Sequence, residues 1–430
     1  MASNALPLTW FVTYLLLAVC ETKMDSMKLN QFPKTETMLS MFAGRNLKSS
    51  YTGANTEVNV LSYGAVGDGV ADDTQAFTSA WKAACAQSDS IIVVPAGLQF
   101  LIKPTTFLGP CASGLTFQIL GTVIAPGDPS SWSGMNTKTW LVFDSLDGFS
   151  MNGGGTIDGR GKKWWTLSCR RDPTNACSSA PTAVLIRRGT STTIENLTFQ
   201  NSQQMHLEFL ECNGVMASGI TINTPCDSPN TDGIHLSFSQ AVVIQNSLIG
   251  TGDDCISIQS GSANVRIKNV QCGPGHGISI GSLGEDGSVA NVKDIILNGA
   301  TLRGTTNGLR IKSWQGGQGS VSGVQYENVK MVNVANPIII DQFYGCSKQQ
   351  YCNNQTLAVQ VNGISYRNIH GTSSTPVAVH FACSDTFPCK NLVLQNIDIT
   401  YVSTKGAAAS FCENAHGSSI GPIAPQSCLQ

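Results

Sequence analysis

Asp232, Asp253, Asp254, His276, Arg310 and Lys312 are residue types that, brought together, could cleave a bond by acid and base catalysis. Carboxylates crowded into one place repel, which separates their pKa values. One can then keep a proton for a leaving oxygen while another, ionised, takes a proton from water. Arginine and lysine beside them suit an anionic substrate, arginine in bidentate fashion toward a carboxylate. Taken singly, each has a plainer reading. An Asp-Asp pair is usually a solvated turn, a lone histidine a satisfied surface or core residue, and Arg-x-Lys a solvated face. Only a shared structural register makes them a set.

A repeat supplies that register. Short apolar segments recur as Ile234-His235-Leu236, Ile256-Ser257-Ile258, Ile278-Ser279-Ile280, Leu309-Arg310-Ile311, Ile338-Ile339-Ile340 and Val377-Ala378-Val379. Between them runs a second set ending in asparagine, such as Val242 to Asn246, Val265 to Asn269, Val324 to Asn328, Ile364 to Asn368 and Leu392 to Asn396. Each unit has two or three β-rich segments and no ten-residue helical pattern, so its crossover is not the helix of a doubly wound sheet. The expected fold is all-β, a right-handed parallel β-helix whose coils stack about 4.8 Å apart. An antiparallel sandwich would show hairpin turns every 8–12 residues or so. Asp72 to Ala86 differs, with Ala76, Phe77, Ala80, Trp81, Ala84 and Cys85 at helical spacing. It predicts a short N-terminal helix, capped by Asp72 or Asp73, over the open end of the solenoid.

With the coils aligned, Asp232, Asp254, His276, Asn307, Asn336 and Thr375 fall into one row. His235, Ser257, Ser279, Arg310, Ile339 and Ala378 form a second row, and Ser237, Gln259, Gly281, Lys312, Asp341 and His380 a third. Arg310 and Lys312 thus share one sheet face just beyond His276, and Asp253 adds a third carboxylate at the same rim. Strict alternation, however, sends Asp232 and Asp254 to the side of Ile234 and Ile256, into the core. Something must break the period. Gly233 permits a bulge in one coil, and a bridge from Cys255 to Cys272 would tie down the next.

Composition narrows the function classes. Of 430 residues, 13% are charged and the net charge is −2, against a charged share of about 25% in ordinary domains. No basic stripe exists for nucleic acid. Leu6 to Cys20 is an apolar run of signal-peptide length, short of the ~20 residues that span a bilayer. Residues 1–20 read as a secretion signal, 21–56 as a flexible leader or propeptide, and 57–430 as one domain. Removing Cys20 leaves fourteen of the fifteen cysteines, an even number suited to an oxidising compartment. Neighbour pairing gives Cys85–Cys111, Cys169–Cys177, Cys212–Cys226, Cys255–Cys272, Cys346–Cys352, Cys383–Cys389 and Cys412–Cys428. Without Cys-x-x-Cys or clustered Cys and His spacing, no metal site is expected. Asn196-Leu197-Thr198 and Asn354-Gln355-Thr356 are glycosylation acceptor patterns.

Asn230-Thr231-Asp232-Gly233, Gly252-Asp253-Asp254-Cys255, Gly275-His276-Gly277 and Arg310-Ile311-Lys312, in that order, resemble the four signature motifs of the polygalacturonases, family 28 glycoside hydrolases. Ser228-Pro229, Cys272-Gly273-Pro274 and Ser313 to Gly317 resemble the plant branch, and the similarity runs from about Val58 to about Cys428. The resemblance implies a pectin-lyase-like solenoid that hydrolyses α-1,4 bonds of polygalacturonate with inversion, as a secreted, monomeric wall enzyme without a cofactor. It implies Asp253 as general acid, Asp232 and Asp254 as the pair that activates water, and His276 as the group that tunes and orients the acid. Arg310, Lys312 and Tyr344 would contact the uronate substrate. Around Tyr344 the family commonly has Asn before and Cys after, whereas here Phe343 precedes it and Gly345 separates it from Cys346. An inverting enzyme needs roughly 6.5–9.5 Å between acid and base, so side chains on adjacent coils must diverge. A calcium-dependent pectate lyase, a rhamnogalacturonan hydrolase and a pectin-binding protein without turnover are the rival readings.

Overall fold

A computed structural model describes residues 56–345, 353–403 and 406–430. The signal reading of 1–20 and the leader reading of 21–56, Thr56 apart, lie outside the described residues, as does the Cys346–Cys352 pairing. Glu57–Gln430 forms one compact unit.

The chain winds as a right-handed parallel β-helix. One face is an 11-stranded sheet of β1 (Thr105–Leu108), β2 (Thr139–Asp144), β3 (Thr182–Arg187), β4 (Leu207–Leu210), β5 (Ile234–Ser237), β6 (Ile256–Ile258), β7 (Ile278–Leu283), β8 (Asn307–Ser313), β9 (Asn336–Asp341), β10 (Val377–Ala382) and β11 (Ala409–Glu413). Each strand pairs in parallel with the one before and after it in this series. A second, 20-stranded network makes the remaining walls.

Like residues stack on like. Ile234 faces Ile256, Ile278, Leu309 and Ile338 on successive coils, and Leu236 faces Ile258, Ile280, Ile311 and Ile340. All are buried, each contributing about 1.5–3 kcal/mol by leaving water. The recurrent asparagines of the other walls turn corners at positive φ, which this residue type tolerates. Their amides bond rung to rung, as in Asn328 to Asn298 at 3.0 Å and Asn368 to Asn328 at 3.0 Å.

Helix α1 (Thr74–Cys85) buries Ala76, Phe77, Ala80, Trp81 and Ala84. Trp81 packs against Phe107, Phe143 and Phe149 inside the first coils. Asp73 does not cap the helix with its side chain; its carboxylate accepts instead from Val66 N at 2.6 Å and Gly67 N at 3.3 Å. Among the described residues no helix is long and apolar enough to cross a membrane.

Two sequence expectations fail. Cys212 is a free, buried thiol, and Cys226 is disulfide-bonded but not to it. Cys212 follows β4 at one corner, whereas Cys226 lies beyond two wall strands, Asn213–Ser218 and Thr221–Asn223, so proximity in sequence puts them on different sides of one coil. Bridges do join Cys85 to Cys111, Cys169 to Cys177, Cys255 to Cys272, Cys383 to Cys389 and Cys412 to Cys428. The second correction concerns β10: Ile338 pairs with Val379, not Val377, and Ile339 with His380. The expected alignment of Thr375, Val377, Ala378 and His380 is off by two residues, which leaves their faces unchanged because side chains alternate with period two.

Candidate active site

The break in alternation sits where the chain turns into β5 and β6. A Cβ at Gly233 would lie 2.5 Å from Ile249 Cγ2 and 2.5 Å from the Cys255 carbonyl, so position 233 points inward, as does Ile234. One coil on, Cys255 and Ile256 are both fully buried, and Cys255 is bonded to Cys272 within the core. Two successive inward residues shift the phase by one. Asp232 and Asp254 therefore emerge on the outer face with His235 and Ser257, three residues further along.

On that face Asp254 gathers its partners from two later coils. Ser279 Oγ donates to Oδ1 at 2.8 Å, Arg310 Nη2 to Oδ1 at 2.6 Å, and Lys312 Nζ to Oδ2 at 3.0 Å. Arg310 Nε also donates to Ser279 Oγ at 2.9 Å. Register explains the convergence, since Ser257, Ser279 and Arg310 occupy adjacent rungs. Asp254 and Lys312 are both buried, so these are desolvated ion pairs rather than surface ones. Tyr344 stands beside them, with Lys312 Nζ 5.1 Å from its ring centroid and Trp314 edge-on at 5.5 Å.

Asp253 turns the other way along the rim. Its Oδ1 meets His276 Nδ1 at 2.9 Å and accepts the Asp254 N–H at 2.8 Å, while the His276 N–H donates to the Asp253 carbonyl at 2.7 Å. Asp232 Oδ2 meets His235 Nδ1 at 3.1 Å. Asn307 Nδ2 donates to the His276 carbonyl, and Asn336 Nδ2 to Asn307 Oδ1, which continues the Asp232 row as expected.

Electrostatics separates the acids. Burial, reinforced by Asp253 and Asp254 against the His235 bond, pushes Asp232 up to about 6. Burial also raises Asp253, but the His276 bond and charge, then Lys312, outweigh it and hold that carboxyl below its usual range. His276 goes up, because Asp253 and Asp254 outweigh the opposing effect of burial. Crowding thus divides the carboxylates: the Asp232 carboxyl goes up while that of Asp253 goes down.

Residues 85–428 match the glycosyl hydrolases family 28. The chain belongs to that family. It is 47% identical over 363 residues to a polygalacturonase of Persea americana, covering 84% of this chain and 78% of that one. It is 44% identical over 409 residues to a polygalacturonase of Malus domestica, covering 94% and 86%. The fold resembles that of an endo-xylogalacturonan hydrolase from Aspergillus tubingensis, with a TM-score of 0.73 at 24% identity over 86% of this chain and all of the other.

In this family 28 hydrolase, Asp253, Asp254 and His276 each bring one donor atom within 4.8 Å of the others. The set suits a cation poorly, because Arg310 and Lys312 already bond both Asp254 oxygens and would repel a further positive charge. Two side chains of the site lack a role in the sequence reading. His235 bonds Asp232, and Ser279 bridges Arg310 to Asp254. The signal for both was their shared row with Arg310.

Proposed function

We propose that this glycoside hydrolase cleaves α-1,4-galacturonosyl bonds of homogalacturonan with inversion, outside the cell, in the wall. The observation that carries the reading is the convergence of Arg310 and Lys312 on Asp254, two cations held beside three carboxylates on the outer face of one sheet. A uronate carboxylate is the substrate group that could take both cations from Asp254. Tyr344, against Lys312, would flank the bound sugar.

In the proposed reaction Asp253 protonates the leaving oxygen, while Asp232 and Asp254 draw a proton from a water that attacks the anomeric carbon from the opposite side. Substrate binding would reverse the lowering of Asp253. A bound uronate draws Arg310 and Lys312 away and adds a negative charge, and both changes raise the Asp253 carboxyl. The proton shared with His276 then moves onto Asp253, and Asp254, relieved of its cations, becomes the better base. The test is incubation of the purified protein with polygalacturonate in the presence of a chelator. Reducing ends appearing without an ultraviolet-absorbing unsaturated product support hydrolysis; a chelator-sensitive unsaturated product, or binding without turnover, overturns it. The sizes of the earliest products separate internal from terminal cleavage.

A further inference from the structure

His235 is a buried imidazole beside the carboxylates, and its surroundings explain more than packing. Its Nδ1 lies 3.1 Å from Asp232 Oδ2, and both residues are 8% exposed. Among the described residues it is the side chain hydrogen-bonded to that carboxylate. The backbone of Asp232 is fixed separately: its carbonyl accepts the His206 N–H at 2.9 Å and meets His206 Nδ1 at 3.0 Å, while His206 Nε2 lies 2.6 Å from Thr224 Oγ1. On the strand before, register sets Glu208 directly beside His235, and Thr182 Oγ1 donates to Glu208 at 3.3 Å. On the strand after, Ser257 is its neighbour. His235 therefore stands between two carboxylates on consecutive coils.

We propose that His235 is a positioning residue for the hydrolysis: its Nδ1–H fixes Asp232 Oδ2 and so leaves Oδ1 to take the proton of the attacking water. This rests on the galacturonan reading. The charges around the pair support a second effect. Burial opposes a charge on the ring, but the bond and charge of Asp232, then Glu208 and Asp254, outweigh it and raise the imidazole pKa. The His235 bond and charge in turn pull Asp232 down against burial, Asp253 and Asp254. Arg310 and Lys312 are occupied by Asp254, His276 by Asp253, and burial pushes His206 down to about 4, leaving it neutral. Of the basic side chains at the site, His235 is the one bonded to the Asp232 carboxylate.

The test compares wild type with His235→Asn, which keeps a donor near Oδ2 but not the charge, and His235→Phe, which keeps neither. Carboxyl titration by NMR with labelled aspartate, assigned through Asp232→Asn, reads Asp232 directly. The expected result is an upward move of its titration by roughly one pH unit in both variants. The acid limb of kcat/KM on polygalacturonate moves by the same amount, and KM changes by less than about twofold. His235→Asn regains most of the wild-type rate at higher pH, whereas His235→Phe stays about tenfold or more below it. An unmoved Asp232 titration in folded His235→Asn overturns the proposal even if His235→Phe fails to fold. A wild type inactive on polygalacturonate overturns the functional reading instead, while the NMR titration still decides the His235–Asp232 coupling.

Discussion

The ammonium of Lys312 lies 3.0 Å from Asp254 Oδ2 across 58 residues of sequence, and both groups are buried. Two windings of the solenoid bring them together, and Arg310 joins at 2.6 Å on the other carboxylate oxygen. Replacing Lys312 with Met removes a charge proposed to bind uronate and strips Asp254 of one desolvated partner. KM for polygalacturonate should rise and kcat should fall, with kcat/KM down by about tenfold or more. The deficit should be larger at low ionic strength, because the lost interaction is Coulombic. Kinetics at two salt concentrations check this, and an unchanged KM with unchanged salt dependence would argue against substrate binding by Lys312.

Gly233 sets the aim of Asp232. Its Cβ position is filled by Ile249 Cγ2 and the Cys255 carbonyl, each 2.5 Å away, so Gly233→Ala must push the backbone of one coil from the next. Stability should drop by about 1–3 kcal/mol. Activity should drop by about tenfold or more, since Asp232 is displaced while no functional group is removed. Denaturant unfolding and kcat on the same preparation check it; a destabilised variant with full kcat would detach Asp232 from the reaction.

The pH dependence follows from Asp232 in its proposed role as base. Its pKa stands at about 6 through burial and the neighbouring carboxylates, and a base must be ionised to accept a proton. Below that pH Asp232 carries the proton and cannot activate water; above it the carboxylate is available. The kcat/KM profile of the free enzyme should therefore lose activity with falling pH along a one-proton limb near pH 6. On the alkaline side, loss of the raised His276 proton empties the Asp253–His276 pair and closes the bell. A profile flat between about pH 4 and 7 would contradict the assignment of Asp232.

Asp253→Asn keeps an acceptor for the Asp254 N–H and a polar partner for His276, so the corner should hold. It removes the proposed donor. Turnover should fall by about 10²–10⁴-fold while retention on immobilised polygalacturonate stays within about twofold of wild type. Undiminished turnover would transfer the acid role elsewhere.

The sequence carried the coils and the site to different depths. Stacked Ile234, Ile256 and Ile278 and the corner asparagines wrote the solenoid plainly, because each coil repeats the same burial problem. The rows containing Asp232, Asp254, Arg310 and Lys312 followed from that repeat. Gly233 and Cys255 marked the phase break without revealing that both point inward. The β10 alignment slipped by two because Val377 offers an apolar residue of the right parity ahead of Val379. Cys212 and Cys226 misled because neighbours in a coiled chain can occupy different walls. The division of charge between Asp232 and Asp253 was not legible at all: it depends on which acid faces His235, which faces His276, and how deeply each is buried.

The most direct measurement of the central claim is proton NMR of the anomeric signals during the first moments of polygalacturonate cleavage. Attack by water from the side opposite the leaving group, with Asp253 on one side and Asp232 and Asp254 on the other, should yield new reducing ends in the β configuration, with the α form growing in only by mutarotation. New ends that are α from the outset would mean that these carboxylates do not work as an acid and a water-activating pair.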